Sequence, residues 1–239
     1  FSQNKDTVYG WTKTGFIGMN LNQVSLSNWA AGGESSVSAT GLFSGLVKYN
    51  SKKEFWLNNL DFAYGLIKSE DIKVRKNEDK IEFTSQYGKY AGGNFFYSAL
   101  FNFRSQFSNG YNYPDDSTVI SKFLAPGYLK AALGIDWKPV DYFSLFVSPA
   151  TGRFTFVNDQ VLADEGAYGV DPAVYDALGN KITSGKKMKG EFGASLTALF
   201  AKEIMENVTL ASKLNLFDNY TDDEKANRLN VDVNWETAL

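Results

Sequence analysis

Carboxylates are the residues of this chain whose spacing could do chemistry. Asp115 and Asp116 are adjacent, Asp159 stands five residues before Asp164 and Glu165, and Asp218, Asp222, Asp223 and Glu224 crowd one segment. Two acids in one site can divide the roles of general acid and general base. Three or four carboxylate oxygens can hold calcium, although no EF-hand spacing is present. The composition sets a limit on both ideas. The chain has no His and no Cys, so Ser–His, Asp–His and thiolate arrangements and disulfides within it are excluded, and no lipid anchor on cysteine is expected. Neighbouring acids on a loop are usually solvated, so the expectation is a protein with no enzymatic activity and no cofactor. Asp218, Asp222, Asp223 and Glu224 stand as calcium candidates, with the Asp159–Glu165 loop beside them.

A second group of ionisable residues occurs singly: Asp61, Glu82, Arg104, Lys130, Asp136, Lys189, Glu191, Lys213 and Asp232. Each falls at a polar position of an alternating segment, so the elements that carry them decide their meaning. The clearest is Asn94 to Phe107. Its odd positions hold Phe95, Tyr97, Ala99, Phe101, Phe103, Ser105 and Phe107, against Ser98, Leu100, Asn102, Arg104 and Gln106 on the even ones. Period two means a β-strand with unlike faces. The run is about twice as long as a soluble half-buried strand requires.

Similar alternation predicts strands over roughly 15–25, 37–49, 55–68, 80–90, 127–137, 187–201, 207–217 and 228–235. One from Tyr142 breaks at Pro149 and Gly152, because Pro is confined to sheet edges and bulges. The segment 153–157 either resumes that strand or folds as a loop hairpin. In all, about ten strands are expected, with charged or polar loops at Lys68–Asp79, Asn109–Pro126 and after Val157.

Aromatic residues make up 15% of the chain and hydrophobics 44%, yet no window nears eighteen consecutive apolar residues, so no transmembrane helix is expected. Strands can instead cross a bilayer by alternation, with lipid on one face and a polar lumen on the other. Two regularities support that reading. Connections alternate long and short, as in barrels with short periplasmic turns and longer extracellular loops. Trp11, Trp56, Trp137 and Trp235 all lie beside short turns or termini, where an amphipathic indole would sit in the headgroup layer.

The expected fold class is therefore all-β, a transmembrane antiparallel up-and-down β-barrel forming one domain over 1–239. Residues 1–12 would be a periplasmic N-terminal tail. A soluble barrel or sandwich is the alternative, but it has no reason to sort Trp to one end. Phe95, Tyr97, Phe101, Phe103, Leu133, Ile135, Phe192, Leu196 and Val231 would face lipid, and the nine single charges would face the lumen. Ten to twelve strands lie between filled and channel-bearing barrels. Balanced charge predicts a salt-bridged plug, and the competing picture is a small polar pore with Arg104 and Lys130 facing Glu82 and Asp136. The net charge of −3 gives no reason to expect a nucleic-acid partner.

The segment Val24 to Glu34, VSLSNWAAGGE, resembles the signature of a Bacteroidota outer-membrane β-barrel family of unknown function (DUF3078-like). Ile81–Tyr90, Phe123–Tyr128, Leu145–Gln160 and Leu162–Val170 are similar to it as well. The resemblance implies an outer-membrane location, a C-terminal hairpin beyond Leu239 and about twelve strands in the complete protein, and it carries no activity. A glycine-rich turn around Trp29 is the bland reading of the signature. Asp6-Thr7-Val8 and Asp116-Ser117-Thr118 resemble the O-glycosylation sequon of Bacteroidota envelope proteins, making Thr7 and Ser117 candidate sites. The expected role is a scaffold or accessory subunit of an envelope complex, in contact with outer-membrane lipid, lipopolysaccharide and other outer-membrane proteins. A narrow porin or small-solute channel is the alternative.

Overall fold

Alternation of the kind seen in Asn94–Phe107 recurs as ten long strands, each paired antiparallel with its sequence neighbours. The computed structural model describes residues 9–26, 33–70, 73–222, 228 and 230–239. The strands are β1 (Gly10–Val24), β2 (Ser36–Asn50), β3 (Glu54–Ser69), β4 (Arg75–Gly92), β5 (Phe95–Ser105), β8 (Gly127–Val140), β9 (Phe143–Phe156), β12 (Met188–Met205), β13 (Val208–Asn219) and β14 (Val231–Ala238). Two small hairpins lie in the connections, β6 (Gly110–Tyr111) with β7 (Val119–Ser121) and β10 (Val174–Tyr175) with β11 (Lys181–Thr183). A short helix, α1 (Gln160–Asp164), precedes the second of them.

The molecule is one ten-stranded meander in which β1 and β14 are the two edges. These edges do not pair with each other, so the sheet is not closed. It is nevertheless strongly curved. Arg153 of β9 reaches Asp232 of β14 at 2.8 Å, and Lys138 of β8 places its ammonium 3.4 Å from the ring centre of Phe55 on β3. Each contact spans three strand steps, which on a flat sheet amounts to roughly 14 Å. The face these residues share is therefore concave.

Several boundaries differ from those read in the sequence. β1 begins at Gly10, so residues expected in a terminal tail are already paired, Trp11 with Tyr49 and Thr12 with Lys48. The charged run Arg75–Asp79 is strand, not loop, because β4 continues along β3 and Tyr64 stands opposite Asp79. β9 continues through Pro149 and Gly152. Its register shifts against both neighbours there, Leu133/Ile135 on β8 and Gly193/Ser195 on β12. A bulge absorbs the missing proline N–H, and the strand resumes as far as Phe156.

The connections keep their alternation. Short turns join β2–β3, β4–β5, β8–β9 and β12–β13 at one end. At the β4–β5 turn Gly92 and Gly93 have φ of 126° and 57°, a conformation that a side chain would strain. Longer segments lie at the other end. There Ala125, Val157, Leu162, Ala163 and Val170 form a small buried cluster that joins the 106–126 and 157–187 connections into one cap. No described helix is long and apolar enough to cross a membrane.

Candidate functional site

Register decides which face each ionisable side chain occupies. Asp61, Glu82, Arg104 and Tyr128 stand opposite one another on four successive strands. Tyr128 continues through Thr155 to Lys189, and Lys130 through Arg153 to Glu191. Phe217 opposes Asp232 on one side and Ser195 on the other. With Asp136 and Lys213, all nine charges predicted for the lumen share the concave face.

Their pairing differs from expectation. Arg104 stands opposite Glu82, yet no ion pair forms between them. Glu82 instead binds Lys80 at 2.8 Å and accepts from the Asn102 amide at 2.9 Å. Asp136 takes Lys138 and the Gln86 amide, each at 3.1 Å, and not Lys130. Glu191 takes Lys189 at 3.3 Å, and Asp61 accepts from Ser44 at 2.6 Å. In three of these cases the partner is two residues away on the same strand, where alternation puts both side chains on one face. The spacings Lys80/Glu82, Asp136/Lys138 and Lys189/Glu191 carried that signal in the sequence.

Near the short-turn end the concave face is filled. Asp136 is 1% exposed, and Phe55 and Phe146 are buried beside it. Lys138 stacks its ammonium over Phe55 and Phe96 while holding Asp136. A Cβ at Gly88 would come within 2.1 Å of the Phe55 ring, so the glycine makes room for this layer. Higher up, Thr151, Ser148 and Ser195 link hydroxyl to hydroxyl at 2.8–2.9 Å, and Ser148 donates to the carbonyls of Leu133 and Ala150. This chain satisfies backbone acceptors freed by the β9 bulge. No base is hydrogen-bonded to it to activate a nucleophile.

The opposite face is apolar. Tyr97 is 65% exposed and Leu133 63%, and Phe95, Phe101, Ile135, Phe192 and Val231 are also exposed. Phe103 and Leu196 lie half-buried among them. The tryptophans fall in two register rows on this face. Trp11, Tyr49, Trp56 and Tyr87 form one, and Trp137, Leu145, Ala198, Leu214 and Trp235 the other. Two of the indoles find hydroxyl partners, Trp56 on Ser85 and Trp235 on Ser212, both at 2.9 Å.

The cap orders most of the loop carboxylates. Asp159 is the N-cap of α1, accepting from Val161 and Leu162 N–H, and it pairs with Lys122 across the two connections. The Lys122 ammonium, ahead of those amides, holds the Asp159 carboxyl below its usual range. Asp164 is drawn down to about 2, first by Lys181, then by the Gly185 N–H and the Gln160 amide. Asp159 and Asp164 are thus structural anchors with their oxygens engaged. Asp115 accepts from Ser117 N–H and Oγ at 2.8 and 2.6 Å, while Asp116 pairs with Lys73 at 2.7 Å. The two acids turn to different partners.

Of the calcium candidates, Asp218 stands opposite Ala194 and Val231, on the apolar face. Asp222 borders a rim cleft of about 270 Å³ with Asp171 and Glu191. Asp223 and Glu224 lie outside the described residues, and no group of three metal-ligating side chains occurs among those described. Thr7 and Trp29 also lie outside them, whereas Ser117 is exposed on the β6–β7 loop.

One anchoring residue escaped the sequence reading altogether. Asp79, on the apolar face of β4, accepts from Phe107 N–H, Ser108 N–H and Ser108 Oγ and pairs with Lys76 at 2.8 Å. It ties the start of the 106–126 connection to the wall.

No curated protein and no solved structure matches the chain. Phe123–Tyr128, Leu145–Gln160 and Leu162–Val170 fall outside the family match, which ends in β6, whereas Val24–Glu34 and Ile81–Tyr90 fall inside it. Over residues 21–111 the chain matches the uncharacterised family described as "Protein of unknown function (DUF3078)".

Proposed function

We propose that the curved sheet closes into a β-barrel spanning the outer membrane, with short turns and N-terminus periplasmic and the capped loops outside. In this reading it works without enzymatic activity, as a scaffold or accessory subunit of an envelope complex. The observation that carries the location is the pairing of two unlike faces over ten strands: a wall of exposed Tyr97, Leu133, Ile135 and Phe192, backed by a concave face of paired charges. Water disfavours the first face and hydrocarbon disfavours the second. Open strand edges in hydrocarbon would strand N–H and C=O groups. Closure therefore needs β1 to meet β14, or a further hairpin between them, as in the twelve-strand expectation.

The scaffold role is supported by the packed layer of Asp136, Phe55 and Phe146 on the concave face, bridged by Lys138, which would narrow a lumen at the short-turn end. Reconstituted in planar bilayers, the protein should pass no stepwise current, and extraction from native membrane in mild detergent should bring stoichiometric protein partners with it. Unitary conductance that Arg104→Ala alters, from a protein that purifies alone, would replace the scaffold with a narrow channel.

A further inference from the structure

A cavity of about 300 Å³ opens on the concave face at the short-turn end. Lys48 of β2 lines one side of it, and Ser144 of β9 with Leu199 and Ala201 of β12 line the other. β2 and β12 are six strand steps apart in the sheet, which would be roughly 28 Å if the sheet were flat. Curvature brings them to one cavity. Lys138 also lines it, with its ammonium already shared by Asp136 at 3.1 Å and the Phe55 ring at 3.4 Å.

Two polar groups of this lining are uncommitted. Lys48 is half-buried, and its register neighbours are Thr12 on β1 and Leu57 on β3, so no carboxylate faces it across either ladder. Among the described residues it forms no ion pair. The Ser144 hydroxyl, on the strand position opposite Leu199, has no hydrogen-bond partner among them either. A half-buried ammonium without a counter-charge is costly, and an anion seated against it removes that cost. Leu199 and Ala201 give the cavity an apolar side. The one carboxylate in the lining, Asp141, is exposed on the β8–β9 turn, where water weakens its repulsion of an anion.

We propose that this cavity binds a medium-chain alkyl carboxylate, with the Lys48 ammonium and the Ser144 hydroxyl donating to its head and its chain lying over Leu199 and Ala201. One free ammonium answers one negative charge, which favours a carboxylate over a doubly charged phosphate. The volume is that of about ten waters, so a molecule of about ten non-hydrogen atoms fills it. Burial of the alkyl part adds affinity that a bare ion would lack. The site does not depend on the scaffold role, because it belongs to the folded chain itself.

Calorimetric titration of the full chain in a non-ionic detergent with sodium octanoate, an anion of that size, tests it. Saturable one-to-one binding is expected. It should be at least tenfold weaker for acetate, which has the charge without the chain, and for 1-octanol, which has the chain without the charge. Lys48→Gln should weaken octanoate binding at least tenfold, as loss of a charged hydrogen-bond donor does, and Ala201→Trp, which fills the cavity, should abolish it. Lys89, exposed on the other face at the same end, is the control, and Lys89→Gln should change nothing. Heat that grows without saturating, as partition into micelles alone would give, overturns the proposal. So does binding that Lys48→Gln retains in full, or that Lys89→Gln loses equally, or an equal affinity for 1-octanol. Should Lys48→Gln fail to fold, undiminished binding by Ser144→Ala and Ala201→Trp overturns it.

Discussion

On the proposed membrane-wall reading, Leu133→Arg should destabilise the protein in a bilayer by about 2–4 kcal/mol, the depth-dependent cost of a cation on a lipid-facing strand position near the midplane. Leu133 lies midway along β8 and is 63% exposed on the apolar face. Nothing in the protein packs over it, so the cost arises from the surroundings alone. The measurement is urea unfolding of the parent and variant from lipid vesicles. Leu178, 88% exposed at the tip of the β10–β11 hairpin in the cap, is the internal comparison. Leu178→Arg should change stability by no more than about 0.5 kcal/mol, as for an ordinary surface substitution. In a water-soluble sheet the two would behave alike, since both side chains would already meet solvent.

Asp79→Ala is the second large effect. The carboxylate side chain is 2% exposed and the paired Lys76 14%. Deleting it strips two backbone N–H groups of their acceptor and leaves a largely buried ammonium without its counter-charge, holding only the Ser108 carbonyl, for an expected loss of about 3 kcal/mol. Asp79→Asn keeps an oxygen for Phe107 and Ser108 but loses the charge pairing, so its loss should be smaller. Protease cleavage within residues 106–112 should rise in the same order, because these residues connect β5 to the cap through Asp79. Equal stability of Asp79→Ala and the parent would mean that Lys76 and the amides find water instead.

The wall was legible because its signal is repeated. Alternation in Asn94–Phe107 or Gly127–Trp137 has one geometric meaning, and register carries it from strand to strand, so the faces of Arg104, Lys130 and Asp136 followed from parity alone. Partner choice was not legible to the same degree. Arg104 with Glu82 looked natural as a cross-strand pair, but a lysine two residues along the same strand was already at hand for Glu82, Asp136 and Glu191. Hydropathy also hid the ends of strands. Arg75–Asp79 is charged yet strand, since polar residues beyond the apolar band still pair with β3. Pro149 looked like a stop because the sequence does not reveal that a bulge can take up its missing donor. The cap was the least legible part: the contacts of Asp159 with Lys122 and of Asp164 with Lys181 and Gly185 join connections distant in sequence, and no periodicity announces them.

In the proposed barrel, one face of β8 meets hydrocarbon and the other does not. The chain contains no cysteine, so single cysteines can be placed at each position from 129 to 137 and spin-labelled without background. In lipid vesicles, accessibility to oxygen should peak at 131, 133 and 135 and fall at 130, 132 and 134, with the opposite pattern, or uniformly low values, for a water-soluble nickel reagent. Oxygen accessibility that does not alternate, or the nickel reagent reaching 133 as readily as a label at Leu178, would contradict a membrane-facing wall.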